Sequence, residues 1–155
     1  MKKSNVSSGV TFLEITITVG ILGLLLAVIM PSFLSFRRNS ILNTETQEIV
    51  TIINKARLST MSSKGDTKYG VHFESGKIVL FPGVVYTGGA DGNEEHILNP
   101  ALTLSVIVVS GGGPDVVFEK ITGATNQNAT TTLLVMGSTA STTIVIHPSG
   151  LAAIQ

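Results

Sequence analysis

The sequence predicts an α+β fold in which a long N-terminal helix, membrane-spanning in its first half, packs on an antiparallel β-sheet C-terminal domain. The first observation is an apolar run over residues 10–36, which is too long for a strand. The second is an amphipathic continuation of the helix over 37–64. The third is the series of Val- and Thr-rich segments separated by Gly and Pro over 65–155, which is typical of a β-rich globular domain. A short polar and basic leader, 1–9, precedes them.

Composition limits the possible functions. A chain of 155 residues has room for one modest core. Lys+Arg and Asp+Glu are 10 each, so no overall field selects a charged partner. Because no basic residue follows Lys120, the last part of the chain offers no electrostatic surface for nucleic acid, which is therefore not an expected partner. The absence of Cys excludes disulfides, thiol catalysis and thiolate metal sites.

The apolar run over 10–36 would form a helix of roughly 40 Å, enough to cross a bilayer core of about 30 Å with some tilt. A secretory signal is one interpretation, but its apolar stretch is much shorter and closes on a small-x-small cleavage site that is missing here. A generic membrane anchor is a second interpretation. It leaves unexplained Glu14, the single charge in the run, because a carboxylate in a bilayer costs at least about 2.5–3.5 kcal/mol.

The residues around Glu14 carry a family resemblance. The junction Gly9-Val10-Thr11-Phe12-Leu13-Glu14 resembles the class III signal of type IV prepilins and pseudopilins. The resemblance implies cleavage between Gly9 and Val10 by a prepilin peptidase and N-methylation of Val10. It also implies a role in assembly for Glu14, fifth after the cut, and for Pro31, where the family commonly has proline. Val10 departs from the usual phenylalanine, and Thr16 and Thr18 make the helix more hydroxylated than most.

Two roles can be assigned on physical grounds. Glu14 would lie about one helical turn from the new amine, and it could pair with its own N-terminus or, as the family implies, with that of the preceding subunit. Pro31 would kink the helix.

Lys2 and Lys3 favour a cytoplasmic N-terminus, whereas Arg37 and Arg38 weakly favour the opposite orientation. The resemblance implies a single pass through the cytoplasmic membrane, N-in and C-out, followed by entry into an extracytoplasmic filament.

Helical spacing continues to about Ser62, where Gly65 is a plausible stop. The spaced residues are predicted to pack against a sheet, and they are Leu42, Ile49, Ile52, Ile53, Ala56 and Thr60. The predicted strands are Lys68–Phe73 and Lys77–Phe81, which form a hairpin, then Leu102–Val109, Val116–Glu119, Thr131–Met136, Thr142–His147 and Leu151–Ile154. A loop is predicted over Pro82–Pro100.

Within the family the chain looks most like minor pseudopilins and fimbrial pilins of the GspH/FimT type. The features that carry this narrower likeness are Asn54-Lys55-Ala56-Arg57 late in the helix, the hairpin after it, and the ending Ile144-Val145-Ile146-His147-Pro148-Ser149-Gly150. This part of the resemblance covers more of the chain than the junction does, and it is looser.

No candidate for catalysis or for metal or cofactor binding has a specific pattern. The carboxylates of Asp91–Glu95 lack the calcium-loop spacing and are better explained as a solvated loop tip. His72, His96 and His147 form no ligand motif. The Gly111-Gly112-Gly113 run is followed by neither Lys-Ser/Thr nor a helix, so it is a turn. We therefore expect no enzyme, no cofactor and no metal.

Two classes of function remain. The first is a structural subunit of a type IV pilus or a type II secretion-type pseudopilus, with other subunits, prepilin peptidase and membrane lipid as its partners. The alternative is a binding module at a filament tip, for DNA uptake or for adhesion. DNA capture would need clustered Lys or Arg, and residues 121–155 contain none, whereas the Thr-rich strands and the long loop leave adhesion open.

Overall fold

The computed structural model describes residues 9–155, with the side chains of Pro31 and Val106 left out. One helix precedes eight strands, with a 3-10 turn between them at Lys64–Asp66. The elements are α1 (Phe12–Met61), β1 (Tyr69–Glu74), β2 (Lys77–Pro82), β3 (Glu94–Ile97), β4 (Leu102–Val109), β5 (Asp115–Val117), β6 (Ala129–Val135), β7 (Ser141–Ile146) and β8 (Ala152–Ile154). The predicted α+β class, a long N-terminal helix followed by antiparallel strands, is confirmed.

The chain divides after Arg37 into an N-terminal unit and a globular unit, Arg38–Gln155. Helix α1 contributes to both, and its assignment is continuous across position 31. It begins at Phe12, so Val10 and Thr11 precede it, and it ends at Met61, close to the predicted Ser62.

The strands of the predicted antiparallel β-domain form two sheets. The first sheet has the order β3-β2-β1-β5 and the second has the order β4-β6-β7-β8. The predicted hairpin is β1–β2, in which Glu74 faces Lys77 across a two-residue turn. In the second sheet β6, β7 and β8 follow one another along the chain, and each pairs with the next. Strand β4 also pairs with β6, and the segment of chain between these two contributes β5 to the first sheet.

Helix α1 and the inner faces of both sheets share one core. The predicted stripe is confirmed, because Leu42, Ile49, Ile53, Ala56 and Thr60 are buried and Ile52 is half-buried. Steps of three, four or seven residues return a side chain to the same helix face, so this stripe stays against the sheets along about five turns. The first sheet contributes Val71, Phe73, Ile78, Leu80 and Val116, and the second contributes Leu102, Leu104, Val109, Ala129, Leu133, Val135, Ile144 and Ile146.

The predicted loop over 82–100 is wrong in part, because it contains β3. This strand pairs with β2, with Glu95 opposite Val79. Glutamate has little intrinsic strand preference, so Glu94 and Glu95 adopt the strand conformation because β3 pairs with β2, which precedes the loop. Strand β4 has the predicted bounds, and the ends of the other predicted strands lie within two residues of the observed ones, as for β6, which begins at Ala129 rather than Thr131.

The loop between β2 and β3 brings an aromatic ring onto the outer face of the first sheet. The Tyr86 ring stacks on the His72 ring, with centroids 3.8 Å apart and planes 16° from parallel, and it lies 5.6 Å from the Phe81 ring. Val79 and Phe81 are fully buried although they point away from the main core. Gly70 provides the space for Phe81, because a Cβ there would lie 2.5 Å from the ring.

The C-terminal end of α1 is tied to two turns through Gly123 and Gly150. Arg57 Nε donates to the Gly123 carbonyl oxygen at 3.1 Å. A Cβ on Gly150 would lie 1.8 Å from the same oxygen, and Gly150 has a φ of +78° that favours glycine. The close approach of the backbone at Gly150 to the backbone at Gly123, beside the Arg57 side chain, therefore requires a residue without a Cβ at position 150.

We expect Gly150→Ala to destabilise the globular unit by about 2–5 kcal/mol, because left-handed strain adds to a backbone clash. The matched control is Gly137→Ala, which has a φ of +70° and open space around its Cβ, and should cost only about 1–2 kcal/mol. Denaturant unfolding of the full chain in detergent micelles measures both. Equal losses in the two variants would contradict the packing described at Gly123.

Candidate functional site

The first half of α1 is an apolar surface without protein cover in the described chain. From Val10 to Phe36 the large apolar side chains described are 49–83% exposed. The helix is long and apolar enough to cross a membrane, with a mean hydropathy of 2.5 in an 18-residue window of which none is buried. Such a surface needs lipid or other apolar helices around it.

Glu14 lies in the first turn of this helix, at a capped N-terminus. The Glu14 N–H donates to Thr11 Oγ1 at 3.2 Å, so Thr11 is the N-cap and Glu14 is the third helical residue. Thr-x-x-Glu is the sequence pattern of a capping box. An acidic side chain there is also favoured by the positive end of the helix macrodipole.

The Glu14 carboxylate has no hydrogen-bond or ion-pair partner among residues 9–155. Its backbone is used fully: the N–H bonds to Thr11, and the carbonyl accepts from Thr18 Oγ1. The negative charge itself is therefore available to a group outside the described chain, at the one end of the helix where a backbone amine could also lie.

Thr16 and Thr18 direct their hydroxyls to their own helix. Thr16 Oγ1 lies 3.0 Å from the Phe12 carbonyl oxygen and 2.9 Å from that of Leu13, and Thr18 Oγ1 donates to Glu14. Hydroxyls bonded in this way can enter an apolar medium without losing a partner. The unusual hydroxyl content of the segment is thus compatible with a membrane.

The remaining residues singled out from the sequence lie at or near the same helix. Gly9 and Val10 are exposed and precede α1, with nothing within 4 Å of a Cβ built on Gly9. The rest of the predicted leader, including Lys2 and Lys3, lies outside the described residues. Position 31 is helical, and the kink expected at Pro31 stays a prediction.

In the globular unit a polar cluster lies on the outer face of the first sheet. His72 Nδ1 is 2.5 Å from Asp115 Oδ1, and His72 Nε2 is 3.3 Å from Glu74 Oε1. This cluster was not predicted from the sequence. The pairing of Asp115 with His72 depends on strand register, which brings β5 beside β1 from 43 residues away, whereas Glu74 lies on β1 itself, two residues from His72.

A second polar group lies between α1 and β3, around a cleft of about 310 Å³ lined by residues that include Glu48, Thr51 and Lys55. His96 Nε2 lies 3.0 Å from Glu45 Oε2, and Lys55 pairs with Glu94. These contacts join the edge strand to the helix rather than converging on a common point.

The sequence candidates for metal binding are dispersed. Glu94 and Glu95, from the acidic segment 91–95, belong to β3 and pair with Lys55 and Lys77. His147 is exposed, and its backbone N–H donates to Leu151. Within residues 9–155, no three His, Asp or Glu side chains come together as ligands for a metal.

Two ion pairs shift pKa values on the surface. The hydrogen bond from Lys120 lowers the pKa of Asp66, and the charge of Lys120 adds to that effect. The hydrogen bond to Glu95 raises the pKa of Lys77. Asp66 is exposed and Lys77 is half-buried at the surface, so we expect each pair to contribute little to the stability of the fold.

Comparison of the chain with protein-family models, with curated proteins and with solved structures found no match. The assignment of a role therefore depends on the residues and geometry given above.

Sequence reasoning missed the cap. Thr11 was noted only as part of the junction, although Thr-x-x-Glu directly before an apolar helix is a readable signal. We expect Thr11→Ala to lower the stability of the first helical turn by about 1 kcal/mol, because it removes the acceptor for the Glu14 N–H.

Amide hydrogen exchange of the full chain in micelles measures the effect of Thr11→Ala. Protection at the Glu14 N–H should fall about fivefold. Thr11→Ser keeps the acceptor and is the control. Unchanged protection in Thr11→Ala would show that the hydroxyl does not cap the helix.

Proposed function

We propose that this chain is a structural subunit, of the minor class, of a type IV pilus or a type II secretion-type pseudopilus. It would be made as a precursor, cut between Gly9 and Val10, and polymerised through α1. The observation that carries the proposal is Glu14, the single charge in the exposed apolar segment from Val10 to Phe36. It lies in the first turn of α1 and is unpaired within the described chain.

The energetics of Glu14 favour an external partner. Burial of the carboxylate in lipid costs at least about 2.5–3.5 kcal/mol. The macrodipole returns typically 0.3–1 kcal/mol, so the helix end reduces the cost without removing it. A free α-amine at Val10, on this subunit or the next, would offset the remainder by pairing in a low-dielectric medium. Pairing with the next subunit would fix the axial register of neighbouring helices.

The N-terminal order of residues fits processing at the membrane face. Gly9 is exposed outside the helix, and a protease could approach its backbone closely because glycine has no side chain. Cleavage after Gly9 would leave Val10 two residues before the start of α1. The new amine would then lie close to the first helical turn, where Glu14 is.

The charges of the globular unit support a structural role over capture of DNA. Residues 38–155 contain seven Lys or Arg against nine Asp or Glu. Four of the seven are already paired with acids, namely Lys55, Lys68, Lys77 and Lys120. A phosphate backbone needs several free cations on one surface, and this unit is acidic overall.

The first test is the mature N-terminus. We expect the chain purified from membranes of a host with a prepilin peptidase to begin at an N-methylated Val10, as read by mass spectrometry of the N-terminal peptide. Gly9→Leu should leave the precursor uncut, because a branched side chain would obstruct the approach to the backbone. The control is Gly20→Leu, in the helix interior with open space around it, which should be processed normally. An intact leader on the wild-type chain would contradict the proposal.

The second test separates the charge of Glu14 from its position in the cap. Glu14→Gln retains a capping-box residue and removes the charge, so the helix should form and insert normally. We expect its incorporation into sheared filaments to fall at least about tenfold relative to wild type, because a lost ion pair of 1.4 kcal/mol already corresponds to tenfold. Glu14→Ala should fail in the same way.

The matched control is Thr18→Val, one turn further along, which removes a hydroxyl that bonds only its own helix. It should enter filaments at the wild-type level. Normal incorporation of Glu14→Gln at equal membrane abundance would refute the role of the charge in assembly.

A further inference from the structure

The two sheets of the globular unit differ completely in charge. The strands of the second sheet, β4, β6, β7 and β8, contain no Asp, Glu, Lys or Arg. The outer face of the first sheet carries His72, Glu74, Lys77, Glu95 and Asp115 in one ion-pair network. The chain has 20 charged residues, so the lack of charge in the second sheet is a local feature and does not reflect a low overall charge content.

Strand register shows which residues form the outer face of the second sheet. Ala129, Thr131, Leu133 and Val135 of β6 are buried, so the alternate residues Thr130, Thr132 and Leu134 point outward. Their neighbours are Val145 and Thr143 on β7, with Val108 on β4 opposite Thr130. Val108 is 60% exposed, and the central positions are half-buried by their own neighbours. We call this set of residues the neutral face.

Apart from Leu134, the neutral face is built from the β-branched residues Thr and Val. The hydroxyls of Thr132 and Thr143 lie 3.3 Å apart and bond to each other across the strands. They therefore present methyl groups and satisfied hydroxyls rather than free charges. Surfaces of Thr and Val on a pleated sheet can pack against a second sheet at about 10 Å.

We propose that the neutral face is the contact surface for the same face of a second copy of this chain. A two-fold contact brings residues near its axis against their own counterparts, so a charge close to the axis would meet a like charge. The strands of the neutral face carry no charge, whereas the outer face of the first sheet holds charged side chains that would have to leave their present ion pairs. The neutral face can therefore meet a copy of itself without like-charge repulsion.

The size of the neutral face indicates a weak contact. The three strands that carry it, about 4.8 Å apart and about six residues long, cover roughly 300 Å². Stable protein pairs bury about 800 Å² on each partner. The contact would therefore be insufficient for free chains, and it would form when the apolar helices hold copies in one membrane, because tethering raises the effective concentration.

Other partners fit the neutral face less well. Nucleic acid needs cations, which this face lacks. A neutral polysaccharide matches the charge, but the strands β4, β6, β7 and β8 contain no aromatic residue on which a sugar ring could stack. The proposal requires copies in a shared membrane and does not depend on filament formation, so its failure is distinguishable from failure of the proposed function.

The absence of Cys in the natural chain allows site-specific cross-linking. Single-Cys variants at Thr130, Thr132, Thr143 and Val145 are reconstituted as full chains in neutral phosphatidylcholine vesicles and treated with a short bismaleimide. We expect dimer yields about tenfold or more above those of Thr87→Cys, an exposed loop control away from this face. In detergent micelles with one chain each, all five variants should remain monomeric.

Charge insertion tests self-complementarity directly. Thr132→Lys and Thr132→Glu, each combined with Thr143→Cys, should lower the dimer yield about tenfold when reconstituted alone, because like charges then oppose each other. Mixing the two variants in one vesicle should restore the yield, and this rescue could not occur if the substitutions had unfolded the domain. Thr87→Lys combined with Thr143→Cys should behave as Thr143→Cys.

Yields at the neutral face equal to that of Thr87→Cys would overturn the proposal, as would yields that the inserted charges do not change. Retention of the full chain on dextran or cellulose beads, lost in Thr132→Lys and without cross-linking in vesicles, would overturn it in favour of a polysaccharide partner.

Discussion

The apolar stripe of α1 is the interaction on which the rest of the globular unit depends. Ile49, Ile53 and Ala56 are fully buried, and they contact a core to which both sheets contribute. Burial of each Ile side chain contributes about 1.5–3 kcal/mol, and the smaller Ala56 contributes less. Neither sheet closes into a barrel, so the apolar inner face of each must be covered by another element. Helix α1 contributes to that cover for both sheets. Sequence changes that spoil the stripe would therefore separate the two sheets rather than loosen one strand.

The same helix meets a different requirement in its first half, where Glu14 and Thr11 define its end. Backbone groups of the first turn are partly satisfied by the Thr11 hydroxyl, and the macrodipole favours an acid there. These effects explain why a carboxylate is tolerated at this position, but their sum is smaller than the cost of its burial in lipid. The remaining cost of burying the carboxylate is the physical reason to look for a cationic partner. A glutamate at a solvent-exposed helix end would carry no such cost.

Sequence patterns that span a few residues predicted those elements whose formation depends on residues close together in the chain. The stripe from Leu42 to Thr60 and the β1–β2 hairpin follow from periodicity and turn residues, which act within a few positions. Strand β3 could not be predicted in this way, because Glu94 and Glu95 become strand residues only through pairing with β2 and with Lys55 and Lys77. The division into two sheets, and the His72–Asp115 contact, likewise depend on which distant strands become neighbours. At the candidate site Glu14 was visible as a lone charge, whereas its free carboxylate required the structure.

The contrast between a helix long and apolar enough to cross a membrane and a weak neutral face has a consequence for how copies would associate. A contact with a Kd near 1 mM corresponds to about −4.1 kcal/mol and is unoccupied at micromolar concentrations of free chain. Tethering raises the effective concentration to the millimolar range, where the same contact is about half occupied. Association would then be set by helix insertion, and each contact would remain reversible. Charges such as Lys77 and Glu95, confined to the first sheet, keep that surface solvated and leave the neutral face as the one suited to like-with-like contact.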